Sequence, residues 1–202
     1  TMTRSLRLAL TASFALLFGN ACSQQQDTGA APGSAPALAS LSQGWNRIAP
    51  GGATGCSDGS DFAFYVRPGD PKRLLVFLQG GGACWNLRTC DPLHQPTYTV
   101  NLDGMAPETF DGIFNYRRSD NPFKDHTVVF APYCSADVHL GRAEHTYTRT
   151  PEHKARIDSE QSIPDTFRIS HRGFANVASA LDWTYANITR PETVFVTGSS
   201  AG

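Results

Sequence analysis

The sequence predicts an α/β fold in one domain, with a mostly parallel sheet and flanking helices. Three runs of apolar and β-branched residues, 73–78, 127–131 and 193–197, are almost continuous. Strands that are buried on both faces have such sequences, whereas a half-exposed strand alternates apolar and polar residues. A helical pattern lies between the last two runs, as expected when helices cover a parallel sheet. At 202 residues the chain has room for one such domain.

The N-terminal segment 1–21 has the features of a signal peptide. Two arginines precede an apolar run, residues 8–18, and small residues follow it. The run is too short to span a bilayer, which takes about 20 apolar residues. Cys22 is either the lipid-acceptor cysteine of a bacterial lipoprotein or the first residue after ordinary cleavage behind Ala21. Either route exports the protein, to the periplasm, to the outer membrane through a lipid tether, or to the medium.

Residues 22–43 form a predicted low-complexity linker. The stretch from Asp27 to Gln43 consists mainly of Ala, Gly, Ser and Pro, with almost no charge and no aromatic side chain. Aromatic and aliphatic residues return at Trp45. Residues 44–202 are therefore assigned to the folded domain.

The charge balance excludes one class of partner. The chain carries 17 Lys and Arg against 18 Asp and Glu, a formal net charge of −1. It has no basic surplus with which to neutralise a phosphate backbone, so no nucleic-acid partner is expected.

Four cysteines remain once Cys22 is set aside: Cys56, Cys84, Cys90 and Cys134. An even number in an exported chain predicts disulfides and permits three pairings. The alternative, a zinc site, is disfavoured because zinc cysteines come in tight pairs two to four residues apart. We therefore expect neither a metal site nor a cofactor.

Within the domain, residues 62–66 form a further β-type run, and residues 92–120 are rich in Asp, Asn, Gly and Pro without a period. An irregular segment of this length often shapes a functional site. One amphipathic helix is predicted from apolar residues at i, i+3, i+4, i+7 and i+11, namely Phe174, Val177, Ala178, Leu181 and Tyr185. Pro191 prevents its continuation.

The last apolar run leads into Gly198-Ser199-Ser200-Ala201-Gly202. A strand followed by Gly-x-Ser-x-Gly is the pattern of a nucleophile elbow, a tight turn that presents a serine hydroxyl at the edge of a sheet. Ser200 lies at the centre of this pattern, and Ser199 does not have the required spacing. The alternative is a glycine-rich turn with no catalytic role.

A second glycine-rich turn, Gly80 to Gly82, follows the run 73–78. Glycines there let backbone amides approach a ligand, and an acyl-transfer serine needs such amides to bind the oxyanion. Both turns follow predicted buried strands, in the chain order of a serine hydrolase.

Four segments together resemble the pectin acetylesterase family, which includes the animal Notum carboxylesterases: GCSDGSDFAFYV, LVFLQGGGACWNLRTC, NPFKDHTVVFAPYCSADVHLG and VFVTGSSAG. The resemblance covers roughly residues 45–202. It implies an α/β-hydrolase fold and a serine esterase with Ser200 as nucleophile and the amides of Gly81, Gly82 and Ala201 around the oxyanion.

The same resemblance implies the disulfide pairs Cys84–Cys90 and Cys56–Cys134. It also implies a structural, pocket-lining role for residues 133–141. One departure is that many relatives have Trp at or beside the position of Ala83, so their preference for acyl size is not carried over.

The catalytic histidine and acid are expected after the serine in the order of α/β hydrolases, and all six histidines of this chain precede Ser200. Asp137, His139 and His145 are therefore not assigned to a triad or a metal site. The sequence is expected to be the N-terminal part of a hydrolase domain, cut at the elbow and inactive alone.

The sequence thus predicts an exported serine carboxylesterase that deacetylates a carbohydrate-type or related ester, either a small molecule or a polysaccharide. The alternatives are a surface-tethered binding protein that has a hydrolase fold without catalysis, and a lipase-like esterase.

Overall fold

A computed structural model describes residues 35–202, so the predicted signal peptide and Cys22 lie outside the described residues. The strands are β1 Asn46–Ile48, β2 Phe64–Arg67, β3 Asp70–Leu78, β4 His126–Ala131, β5 Ala143–Thr148, β6 Thr166–His171 and β7 Thr193–Gly198. The α-helices are α1 Leu87–Cys90, α2 Pro151–Lys154 and α3 Gly173–Asn187. Short 3₁₀ turns occur at Leu38–Ser40, Pro107–Thr109 and Gly112–Phe114.

Five strands form the main sheet in the order β1-β2-β4-β3-β7. The pairs β3–β4 and β3–β7 are parallel, whereas β1–β2 and β2–β4 are antiparallel. The prediction of a mostly parallel sheet is confirmed for the three continuous apolar runs and wrong for β1 and β2. Pro68 and Gly69 alone separate β2 from β3, which is too short for a crossover, so the chain reverses direction there.

The two faces of the sheet are covered by different kinds of structure. Along β3, Leu74 and Val76 point to one face while Leu75 and Phe77 point to the other. Helix α3 covers the first face through Ala180 and Trp183. The second face is covered mainly by side chains of the irregular segment and its neighbours: Met105, Phe110, Ile113, Phe114, Tyr116 and Phe123.

The last part of the predicted linker touches the folded body. Leu38 and Leu41 pack against the core on the α3 side. The indole of Trp183 donates to the Pro36 carbonyl at 2.9 Å, and the Leu38 amide donates to the Asn187 side chain at 2.9 Å. The two leucines interrupt an otherwise small and polar stretch, and they are the residues that dock.

Strands β5 and β6 form a separate antiparallel pair. Neither was predicted as a strand. Five of the six β5 positions are exposed, whereas β6 alternates polar residues with Phe167 and Ile169. Of the helices in the described part of the chain, none is long and apolar enough to cross a membrane.

Candidate active site

Three loops emerge at one edge of the main sheet. Leu78, the last residue of β3, is in register with Ala131 at the end of β4 and with Gly198 at the end of β7. Because the three strands are parallel, the segments that follow them begin side by side. Open α/β sheets bind ligands at this edge, outside the carboxyl ends of the strands.

The segment after β7 is a tight turn with Ser200 at its strained position. The Gly202 amide donates to the Ser199 carbonyl at 2.9 Å, which closes a four-residue turn. Ser200 has a φ of 51°, in the left-handed region, and it is exposed. Such a conformation costs a non-glycine residue about 1–2 kcal/mol. Strain of this kind is typical of a nucleophile elbow.

Backbone crowding explains why glycines flank the serine turn. A Cβ built on Gly202 would lie 2.0 Å from the Leu78 carbonyl oxygen, and one on Gly198 would lie 2.5 Å from the Gly202 carbonyl carbon. A Cβ on Gly80, in the loop after β3, would lie 1.7 Å from the Ser199 carbonyl oxygen. No side chain fits at these positions, so the pattern seen in the sequence is a steric requirement of the turn.

The glycine turn after β3 and the serine turn after β7 are in direct contact. The Gly80 amide donates to the Ser199 hydroxyl at 3.1 Å. Gly81 and Gly82 have φ values of 148° and 67°, which favour glycine. Ala201 packs against a cluster of buried side chains from the other loops of this edge: Tyr98, Tyr133 and Ala136. The residues predicted to surround an oxyanion thus lie in two adjoining loops.

Two disulfides hold the loops around this edge, in the pairing implied by the resemblance. Cys84 and Cys90 are joined with an S–S distance of 1.97 Å, and they close a short loop directly after the glycine turn. Cys56 and Cys134 are joined at 2.02 Å, and both are fully buried. Cys134 anchors the loop after β4 to the segment between β1 and β2.

Comparisons with known proteins identify the family of the chain. A family model described as pectinacetylesterase matches residues 47–202. The chain belongs to the pectinacetylesterase family. It is also similar to palmitoleoyl-protein carboxylesterase NOTUM of Schmidtea mediterranea, with 33% identity over 93 residues, and to NOTUM of Homo sapiens, with 33% identity over 90 residues. Each match covers 43% of this chain and 18% of the relative.

A third relative of this chain is named as an inactive enzyme. It is an inactive palmitoleoyl-protein carboxylesterase, notum1b of Danio rerio, with 33% identity over 98 residues, which cover 46% of this chain and 70% of that protein. The chain therefore spans about a fifth of the length of the planarian and human relatives and over two thirds of the zebrafish one.

Two histidines of this chain, His139 and His171, lie near the site without contacting Ser200. His139 is buried, and its Nε2 donates to the Gln79 carbonyl at 2.8 Å. Burial lowers the pKa of His139 below its ordinary value, so the ring is neutral near pH 7. His171 donates through Nδ1 to the Ser135 carbonyl at 2.9 Å, and its Nε2 lies 3.8 Å from Cys84 Sγ.

Sequence reasoning missed a buried ionic cluster beside the disulfide-closed loop. Asp91 has no exposed surface and accepts from Arg149 at 2.6 and 2.8 Å and from His153 at 2.9 Å. Burial alone would raise the pKa of Asp91, but hydrogen bonds from Arg149, Leu93 and His153 more than offset it and lower that pKa. No spacing in the sequence links these residues, because 58 positions separate the acid from the arginine.

Proposed function

We propose that the protein is a serine carboxylesterase with an α/β-hydrolase fold and that Ser200 is its nucleophile. The observation that carries the proposal is the strained turn that exposes Ser200 at the carboxyl edge of the sheet, in contact with a second glycine turn. Family membership supports the same reaction. The strand order, with β2 antiparallel to its neighbours and β3, β4 and β7 parallel, supports the fold.

In the proposed reaction the Ser200 oxygen attacks the ester carbonyl carbon and its proton passes to a base. The carbonyl oxygen becomes an oxyanion, which the amides of Gly81, Gly82 and Ala201 stabilise through hydrogen bonds. The tetrahedral intermediate then releases the alcohol, which takes up a proton, and leaves an acyl-serine. Water hydrolyses the acyl-serine and restores the hydroxyl.

The base is the part of this mechanism that residues 35–202 do not supply at Ser200. Its hydroxyl makes no hydrogen bond to another described residue, and His139 and His171 are held by the Gln79 and Ser135 carbonyls. We propose a histidine and an acid that follow Ser200 in chain order, as in other α/β hydrolases.

The test is hydrolysis of nitrophenyl acetate by the protein expressed from its complete gene. We expect Ser200→Ala to lower kcat by about a thousand-fold or more. Ser199→Ala keeps the elbow serine and is expected to retain measurable turnover. Fluorophosphonate labelling should occur on Ser200 and disappear in the alanine variant. Full turnover and labelling in Ser200→Ala would refute the assignment.

A carbohydrate-type acetyl ester, small or polysaccharide, is the proposed substrate class. The family description, pectinacetylesterase, supports this substrate class. The loops after β3 and β4 also expose three apolar side chains, those of Trp85, Val138 and Leu140. Nitrophenyl esters of increasing chain length separate this from a lipase-like activity. We expect the highest kcat/KM for acetate, and a maximum at eight or more carbons would overturn the substrate proposal.

A binding protein without catalysis is the second candidate, favoured by the zebrafish relative that is described as inactive. It predicts no labelling of Ser200 by a fluorophosphonate and tight binding of an acetylated sugar that survives Ser200→Ala. Labelling of Ser200 together with turnover would exclude it.

We further propose export, with or without a lipid at Cys22. The two disulfides support an oxidising compartment. Labelling cells with a radioactive fatty acid tests the lipid, because incorporation that disappears in Cys22→Ala identifies the anchor. Recovery of the protein in the cytoplasm with free thiols would contradict export.

A further inference from the structure

The peptide unit between Gln79 and Gly80 is held from both sides by side chains of other loops. Its carbonyl accepts a hydrogen bond from His139 Nε2 at 2.8 Å, and its N–H donates to the Ser199 hydroxyl at 3.1 Å. The peptide is planar and trans, so these two groups point in opposite directions. Two anchors on opposite sides fix the rotation of the peptide plane about the chain.

The orientation of this peptide determines where the next amides point. The Gly81 amide belongs to the next peptide, which joins this one at the Cα of Gly80. A Cβ on Gly80 would lie 1.7 Å from the Ser199 carbonyl oxygen, so the backbone has little room to turn there and the Gly81 amide follows the orientation of the Gln79–Gly80 peptide. At Gly81, whose φ is 148°, a Cβ would meet only the Tyr133 ring, at 3.9 Å, so contacts of Gly81 itself restrain the turn little.

We propose that His139 is a positioning residue, which orients the Gln79–Gly80 peptide and so aligns the amides of Gly81 and Gly82 for the oxyanion. The inference rests on the proposed function, in which those amides stabilise the tetrahedral intermediate. The imidazole of His139 hydrogen-bonds to a backbone carbonyl and makes no hydrogen bond to Ser200, so His139 is not a catalytic residue. Ser199 is its counterpart on the opposite side of the same peptide.

His139 is itself rigidly held. Its φ is 61°, its amide donates to Asp137 Oδ1 at 3.1 Å, and its ring lies 4.9 Å from that of Tyr133. Asp137 also accepts from the Ser135 hydroxyl at 2.7 Å and from the Gly173 amide at 2.8 Å, which connects the loop to α3. A loop with this many restraints keeps the imidazole in one place, as a positioning role requires.

The deciding comparison is between His139→Gln and His139→Leu. Glutamine places an N–H donor near the position of Nε2, whereas leucine fills similar space without a donor. Both substitutions carry the same penalty for a left-handed φ. A difference between them therefore measures the hydrogen bond to the Gln79 carbonyl and not the general cost of changing the loop.

We expect His139→Leu to lower kcat for nitrophenyl acetate by about 10-fold to 100-fold, with KM changed less than about threefold, since the amides act mainly on the transition state. His139→Gln should recover at least about tenfold of that loss, with an unfolding midpoint close to that of His139→Leu. Ser199→Ala combined with His139→Leu should lose less than the product of the two single losses, because both act on one peptide. Equal kcat in the leucine and glutamine variants, or loss in proportion to unfolding, would overturn the proposal.

A second readout is independent of activity. Amide hydrogen exchange of Gly80, followed by NMR, should accelerate by about tenfold in His139→Leu and remain near the wild-type rate in His139→Gln, since its bond to Ser199 depends on the peptide orientation. Unchanged exchange in both variants would refute the positioning role. Absence of Ser200-dependent turnover in the wild type would refute the proposed function instead, and the exchange rates would still decide the role of His139.

Discussion

Ser200 is exposed in a left-handed conformation that a serine adopts only when its surroundings impose it. Those surroundings are backbone atoms, since the Cβ positions of Gly80, Gly198 and Gly202 are all occupied by carbonyl groups or amides of neighbouring strand ends. The strain at one residue is therefore maintained by close backbone approach at three others. This arrangement supports the proposed elbow more directly than the five-residue pattern does.

Gly82 allows a sharper test at the same scale, because Gly104 is a matched control. Their φ values are 67° and 70°, but a Cβ on Gly82 would lie 2.2 Å from Thr97 Oγ1, whereas one on Gly104 has nothing within 4 Å. Both alanine variants should lose about 1–2 kcal/mol of unfolding free energy from backbone strain. Only Gly82→Ala should lose more and also lower turnover. Equal unfolding free energies, measured with denaturant, would show that Thr97 gives way.

Acid should weaken the fold through His139. Burial lowers the pKa of His139 in the folded state, and the charge of Asp137 opposes this shift. The ring of Tyr133 lies beside His139. An unfolded histidine takes up its proton near pH 6.5, and the folded one does so only at lower pH. His139 therefore makes its full contribution to the unfolding free energy above about pH 6.5, and this contribution declines as the pH falls through the folded pKa. We expect the unfolding midpoint to fall less between pH 7 and pH 5 in His139→Gln than in the wild type. His145→Gln, an exposed control, should follow the wild type.

At the scale of elements, the sequence reveals those that are buried on both faces. The apolar runs that became β3 and β4 have no polar face, and α3 lies where a helix was predicted. Its predicted apolar face was wrong at both ends, because Phe174 and Tyr185 are exposed. The buried residues of the helix are Gly173, Asn176, Ala180, Trp183 and Thr184. The β5–β6 pair was missed for two different reasons. Five of the six β5 positions are exposed and carry few apolar side chains, whereas in β6 Phe167 and Ile169 alternate with polar residues, a short pattern that was not recognised. Strand β7 was predicted as buried, yet Val194, Phe195 and Val196 are exposed, since β7 lies at the edge of the described sheet.

In the candidate site, too, the features that the local sequence dictates could be predicted, and those that depend on the whole fold could not. The glycine and serine turns could be predicted because local sequence dictates a tight turn. The roles of His139 and Asp137 could not, since they depend on loops that meet only after folding. Family resemblance supplied the disulfide pairing, which the cysteine count alone left open.

Asp91 and Arg149 connect two elements, the end of the α1 loop and the end of β5. Asp91→Ala should leave the buried guanidinium without its partner and lower the unfolding free energy by about 3–5 kcal/mol. Asp120→Ala, which removes an exposed pair with Arg118, should leave the denaturation midpoint unchanged. Combining Asp91→Leu with Arg149→Met removes both charges and should recover part of the loss. Similar midpoints for Asp91→Ala and Asp120→Ala would contradict this account.

At the scale of the whole molecule, the two disulfides differ in what they constrain. Cys56 and Cys134 are separated by 78 positions and connect the N-terminal strands to the loop after β4. Cys84 and Cys90 are separated by 6 positions and constrain only the segment beside the glycine turn. In the chain-entropy model the longer loop restricts the unfolded chain more, and the two bonds contribute about 4 and 2 kcal/mol.

Removing each pair should therefore separate stability from catalysis. Cys56→Ala with Cys134→Ala should lower the unfolding free energy by about twice as much as Cys84→Ala with Cys90→Ala, since its closed loop is longer. The second variant should instead have the larger fall in kcat per folded molecule, because its loop follows directly on the amides proposed to bind the oxyanion, and the Cys84 amide donates to the Ala136 carbonyl of the next loop. Denaturant titration and nitrophenyl acetate hydrolysis on the same preparations measure both quantities. If the short disulfide contributed more to stability and nothing to kcat, the glycine turn would be held by its other contacts, the His139 and Ser199 hydrogen bonds among them.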